Sequence, residues 1–394
     1  MSTPNIMDFA PTPTAEPMPG DALLDDIDVS PPAKPLSVWT PDELLAWTPP
    51  TDDVIIGELD RGYVVREELT VLIGPPGVGK SRLISWGAIC AITGRAFGGL
   101  PTQNGPTKWL LIGNENSRRR QRHDLERMMS ALTDEERALV RANLRLHVLS
   151  EPRDGCLDLG DREAREAIGA TLRLHEPDVV VFDPWSNMIA GDENKNADVR
   201  DSVRHLLTIV RATAPRAACI VVHHARTGAA TVAQAGNRFA GASLSRGGKA
   251  LPSAARCEIA VWPGDSEDGG RIVVTCEKSN NAPLFLPRGL RLDADTMTYG
   301  LDQDFSAEAW KDDVDGRRRQ ETVSIEDIVR AVKEECPMAG DSVKSAVIVA
   351  KVREATTGSV RTIKRRIGDA VKAGYLRAGD TLGSYRLGAK PLRK

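Results

Sequence analysis

Eight residues, GPPGVGKS from Gly74 to Ser81, follow the apolar run LTVLI and lead into the helical stretch SRLISWGAICAITG, whose Arg82 joins them as a candidate nucleotide-binding residue. This is the context in which a G-x-x-x-x-G-K-[ST] loop holds a phosphate chain. Gly77 and Gly79 let backbone amides turn inward, with Gly74, Pro75, Pro76 and Val78 completing the curve, and the following helix adds its N-terminal dipole. Lys80 is then the cation for the β- and γ-phosphates, and Ser81 is a hydroxyl ligand for magnesium. A nucleoside triphosphate and magnesium are the ligand and metal that this chemistry suits.

Such a loop needs acids nearby. DVVVFDPW ends an apolar strand with Asp183, a carboxylate for the magnesium, whereas Asp178 opens that strand and belongs to the opposite edge of the sheet. LLIGNENS carries Glu115 just beyond another apolar run. If that strand neighbours the phosphate-loop strand, Glu115 can orient or deprotonate water; Glu193 in GDENKNADVR is its rival. CIVVHH ends in His223 and His224, two of only six histidines, and a metal site, an acid/base pair and a nucleotide sensor are all readings of that pair. Zinc would need further ligands at metal-binding spacing, and Cys219 has no partner cysteine. Successive strand residues face opposite sides, so the two imidazoles should not share one task.

These residues need elements to hold them. From about Val54 to Leu290, β-branched apolar runs alternate with amphipathic stretches, which predicts an α/β fold with a mainly parallel sheet covered by helices. CEIAVW and GRIVVTCEKS read as further, antiparallel strands closing that sheet. Residues 1–35 hold eight prolines and little apolar pattern, which predicts a disordered acidic tail. TPDELLAW, with Thr40, Glu43 and Pro41, predicts a short capped helix. The ATPase domain is expected over 36–300, a linker over 301–320 and a separate module over 321–390.

That module shows helical periods at Ser324–Glu335, Ser342–Ala355 and Val360–Ala373, then two short extended runs: the outline of a winged helix-turn-helix. Arg361, Lys364, Arg365 and Arg366 fall on its third helix, with Ile363, Ile367, Val371 and Leu376 as core contacts. The cations fit phosphate contact with duplex DNA, and docking on a protein is the other reading.

Net charge is -3, yet residues 1–60 carry twelve acids against one lysine and residues 317–394 carry eighteen Lys/Arg against nine acids. That asymmetry suits a chain of which one end meets a polyanion. Six scattered cysteines without a C-x-x-C pair predict neither a disulfide framework nor a zinc ribbon. With no signal peptide and no membrane-length apolar run, a soluble cytoplasmic protein is expected.

The order GPPGVGKS, Glu115, VVVFDPW, GDENKNADVR, VVHHARTG over about residues 50–290 resembles that of the RepA-type hexameric replicative helicases of plasmids and phages, within the RecA/DnaB superfamily. The resemblance implies a RecA-like core that forms a homo-oligomeric ring, hydrolyses ATP between subunits and moves on single-stranded DNA. It implies Glu115 as catalytic glutamate, Asp183 as the magnesium-linked aspartate and His224 as reporter of the γ-phosphate. It also implies an arginine finger, which LSRGGKAL places at Arg246, with Lys249 able to share the role, and a further basic position at Lys278. In such a ring the loop after CIVVHH faces the channel, where Arg226, Arg238 and Phe239 would hold a single strand. Two other readings fit: an ATPase that loads or remodels proteins on DNA, and a nucleotide-gated DNA-binding regulator.

Overall fold

The computed structural model describes residues 36–225, 249–264, 270–321, 323–336, 338, 341–356 and 360–390. The expected tail over 1–35 and the positions Arg226, Arg238, Phe239 and Arg246 lie outside the described residues.

The chain divides at Pro50 into two units. In the first, α1 (Pro41–Ala46) carries the expected capping box: Thr40 accepts from the Glu43 amide at 3.2 Å and the Glu43 carboxylate accepts from the Thr40 amide at 2.7 Å.

The second unit opens with a two-stranded antiparallel ribbon, β1 (Val54–Glu58) and β2 (Arg61–Val65). The central sheet is built from β3 (Leu69–Gly74), β4 (Trp109–Gly113), β5 (Leu144–Leu146), β6 (Val179–Asp183), β7 (Ala218–His224), β8 (Cys257–Pro263), β9 (Arg271–Ser279), β10 (Arg288–Leu292) and β11 (Tyr299–Leu301). Its order is β11-β10-β9-β8-β3-β7-β6-β4-β5. The strands from β8 to β5 in that order are parallel; β9, β10 and β11 add antiparallel pairs beside β8.

One expectation is corrected. CEIAVW forms β8, which pairs parallel with β3; only the run after it is antiparallel. The open condition on the strand leading to Glu115 is not met: β4 does not neighbour the phosphate-loop strand β3, since β7 and β6 stand between them. Both strands still deliver their carboxyl ends to one edge, because all the strands between them run the same way.

Strand alternation divides the core into two layers. Val71, Ile73, Phe182 and Val221 pack with α5 (Arg162–His175), α6 (Asn196–Thr213) and α7 (Ala250–Ala254). Leu72, Val181, Ile220 and Val222 pack on the other face with α2 (Lys80–Thr93), α3 (Arg118–Ser130) and α4 (Asp134–Asn143). Strands apolar on both faces are what a helix-covered parallel sheet demands.

The stretch expected to be a linker contains a helix, α8 (Ala307–Glu321), whose Trp310 and Val314 are buried in the first layer. These two lie four residues apart on one helical face; the surrounding charges obscured so sparse an apolar signal.

Beyond it, α9 (Ile325–Glu335), α10 (Ser345–Ala355) and α11 (Val360–Lys372) enclose their own core with Ile328, Val332, Ile348, Val352, Ile363, Ile367 and Leu376. A three-stranded antiparallel sheet joins them, β12 (Val343–Lys344), β13 (Leu376–Ala378) and β14 (Ser384–Leu387), with β14 central. The second expected helix starts at Ser345 rather than Ser342, because Val343 and Lys344 pair with β14.

Candidate functional site

At the carboxyl edge of β3 the backbone turns through Gly77 (φ +77°) and Gly79 (φ +97°) before α2 begins at Lys80. Those angles suit glycine and strain other residues. A side chain at Gly79 would also meet the Tyr299 hydroxyl, 2.5 Å from an ideal Cβ, and one at Gly74 would meet the Val261 carbonyl at the same distance. The loop is thus fitted between β8 and the β10–β11 hairpin.

The buried Lys80 ammonium donates to the carbonyls of Gly74 and Pro75, each at 2.9 Å. Burial lowers its pKa, opposed by the charges of Asp183 and Glu115. The lysine is thereby held over the loop that it would close around a phosphate chain.

Asp183 ends β6, beside Gly113 of β4 in the parallel register. Its carboxyl is raised to about 6, chiefly by burial and further by Glu115, while a hydrogen bond from Ser81 and the charge of Lys80 act in the other direction. Hydroxyl and carboxylate oxygens are the hard donors magnesium takes, together with substrate phosphates and water. Ser81 and Asp183 therefore fit that ion. Asp178, at the other end of β6, pairs with Arg66 at 2.7 Å and accepts from the Lys108 amide at 2.7 Å, a structural role at the opposite edge.

Glu115 lies two residues beyond β4 and is exposed. Its charge acts on both Lys80 and Asp183, which places it with the phosphate loop. Glu193, the rival acid, sits in the turn before α6.

His224 is the register partner of Gly74, and the Ala225 amide donates to the Gly74 carbonyl at 3.0 Å. That carbonyl also receives Lys80, so the end of β7 and the phosphate loop share an acceptor. His223 pairs with Ile73 and is only 2% exposed, whereas His224 is partly exposed, its ring centroid 6.3 Å from its neighbour's. The alternation expected of the pair is present. Among the described residues no group of three His, Cys, Asp or Glu could hold a metal ion by itself, and burial pushes the Cys219 thiol up to about 12.

Arg82 does not extend from the loop freely: it pairs with Asp124 of α3 at 3.2 Å, and its charge acts on the Tyr299 hydroxyl. Lys278 donates to the carbonyls of Pro252 and Ala255 at 3.0 and 2.5 Å. It stands beside Glu258 near the start of β8, at the edge away from the phosphate loop. Lys249 is exposed immediately before α7. On α11, Arg361, Lys364 and Arg365 are exposed, while Arg366 donates to the Val323 carbonyl at 3.1 Å and pairs with Asp369.

Sequence reasoning missed Tyr299, which packs against Gly79, and Asn114 and Asn187, whose side chains join the loops after β4 and β6 at 2.8 Å. Nothing in DTMTYGL marked Tyr299. The NEN triplet beyond a strand was a signal for Asn114, and it was read only for its acid.

A family model described as "AAA domain" matches residues 30–230, just over half of the chain. The match includes Gly74–Ser81, Glu115, Asp183 and His224 and ends before Arg246 and the C-terminal module. No curated protein matches the sequence. A solved structure, titled "Crystal structure of the RadB recombinase", is similar over 60% of this chain and 91% of that one, at 16% identity and a TM-score of 0.40.

Proposed function

We propose that this chain, which belongs to the AAA domain family, is a P-loop ATPase with a RecA-like core that acts as an ATP-driven DNA motor, a ring-forming helicase of the RepA-like replicative kind. The observation that carries the reading is the gathering of Lys80, Ser81, Asp183, Glu115 and His224 at one edge of a parallel sheet.

In this reading the loop amides and Lys80 bind the triphosphate of ATP. Ser81 and Asp183 would hold magnesium, whose positive charge would offset the charge that develops on the phosphoryl oxygens. Glu115 orients and deprotonates the attacking water. His224, joined to the loop through Gly74, reports the γ-phosphate to the segment that follows β7. Arg246 serves as finger toward a neighbouring subunit, with Lys249 as its substitute, and Arg226 and Arg238 hold single-stranded DNA in the channel of a hexamer. We assign 36–300 with the added helix α8 to the motor, and 321–390 to a winged helix that contacts duplex DNA or a replication protein through Arg361, Lys364 and Arg365.

ATP hydrolysis that rises with single-stranded DNA, and unwinding of a forked duplex lost in Lys80→Ala, test the proposal. DNA-stimulated hydrolysis with no strand displacement would replace the helicase by a loader or remodeller.

A further inference from the structure

Glu115 lies two residues beyond the end of β4, and the residues on either side of it are held by contacts with other loops. Gly113, the last residue of β4, approaches the Asp183 backbone so closely that a Cβ there would collide with the Asp183 carbonyl. The next residue, Asn114, is anchored on two sides. Its Nδ2 donates to the Gly155 carbonyl at 2.8 Å, and its Oδ1 accepts from Asn187 Nδ2 at 2.8 Å. The carbonyl partner fixes which way the Asn114 amide points, because only its nitrogen can donate. Asn187 must then be the donor.

Both anchors rest on fixed segments. Asn187 lies in a short 3-10 turn, Trp185–Asn187, between Trp185 and Met188, which are fully buried. Gly155 ends the 3-10 turn Pro152–Gly155, where Asp154 accepts from the amides of Ser150 and Glu151 at 2.8 and 2.7 Å. The same 147–155 segment grips the strand end and α3: His147 Nδ1 bonds the Gly113 carbonyl at 2.7 Å, Gln121 donates to the His147 carbonyl at 3.2 Å, and Arg118 donates to Ser150 Oγ at 2.7 Å. On the other side of Glu115, Ser117 caps α3 by accepting from the Arg120 amide. The residues flanking Glu115 are therefore pinned while its carboxylate stays exposed.

We propose that Asn114 is a positioning residue for Glu115, bridging the loop after β4 to the loop after the magnesium strand β6 through Asn187. The inference rests on the role of Glu115 proposed above. Its consequence is that any displacement of residues 184–187 shifts the water-orienting acid while leaving the phosphate loop in place. Side-chain orientation of this kind acts on the transition state more than on substrate binding, and misplacement by about 1 Å is enough to slow an enzyme by about 100-fold.

The test uses the full chain and steady-state ATP hydrolysis, with nucleotide affinity measured separately by a fluorescent ATP analogue. Asn114→Ala is expected to lower kcat by about tenfold to about 100-fold with nucleotide affinity unchanged. Asn187→Ala should lower kcat in the same direction and add little in the double variant, since both remove one bridge. Asn114→Asp, which keeps the acceptor facing Asn187 and loses the donor to Gly155, should retain more kcat than Asn114→Ala. An Asn114→Ala enzyme with wild-type kcat, in a preparation where Glu115→Gln has lost hydrolysis, would overturn the inference. So would an equal fall in kcat and nucleotide affinity accompanied by a lowered melting temperature. If Glu115→Gln hydrolyses ATP at the wild-type rate, the role of the glutamate itself is wrong, whatever Asn114 does.

Discussion

Asp183 faces two opposed demands, because burial favours its neutral form and the magnesium role proposed for it needs the anion. Its pKa in the fold is about 6, against an ordinary value of 3.8. Between those values the folded chain binds more protons than the unfolded one, so stability declines as pH rises through that window and stays reduced above it. The difference corresponds to at most about 3 kcal/mol. Asp183→Asn should therefore stabilise the magnesium-free protein at pH 7.5 by up to that amount and have no such effect near pH 4, as read from chemical unfolding. Equal stabilisation at both pH values would show that the carboxylate is not strained by burial. Glu115→Gln should leave nucleotide affinity intact and cut the rate of ATP hydrolysis by about 10²–10⁴, the usual contribution of a general base; a loss of affinity instead would assign it to binding. The phosphate loop and Asp183 were legible in sequence because their spacing is set by local geometry, a glycine turn and a strand end. Tyr299 and the Asn114–Asn187 bridge were not, since each partner comes from a distant part of the chain.

Element placement followed the apolar periodicity wherever an element was long and uniformly buried. β3, β6 and β7 are examples: their residues are apolar on both faces and could lie only inside a covered sheet. Strand order was less accessible. The neighbours of β4 depend on where α3 to α6 cross over, and the sequence does not encode that locally, so whether β4 adjoins β3 stayed open until the strand order was seen. The parallel course of β8 was hidden for the same reason. Helix α8 is the clearest lesson, because two buried side chains, Trp310 and Val314, outweigh a charged composition. Trp310→Ala should cost about 3–5 kcal/mol of stability, as for other buried tryptophans, and lower the melting temperature of the ATPase core. A change confined to the C-terminal module, with the core's melting unaltered, would restore the linker reading.

At the scale of the whole molecule, an acidic N-terminal stretch, a nucleotide-binding sheet and a basic C-terminal module occupy one chain. No helix among the described residues is long and apolar enough to cross a membrane. The exposed cations of α11 set a test of the module's partner. Replacing Arg361, Lys364 and Arg365 by alanine should weaken duplex binding and reduce the slope of log affinity against log salt by roughly 0.9 for each phosphate that is no longer neutralised. An unchanged slope would direct attention to a protein partner. Hydrolysis stimulated by single-stranded DNA should survive that change, since the phosphate loop and its acids belong to the central sheet and not to the separate core around α11.

The most direct measurement of the central claim is strand separation on a forked DNA duplex with ATP and magnesium, comparing the wild-type chain with Lys80→Ala. The proposed motor requires unwinding by the wild type and none by the variant. Unwinding that persists in Lys80→Ala would contradict a motor driven from this site.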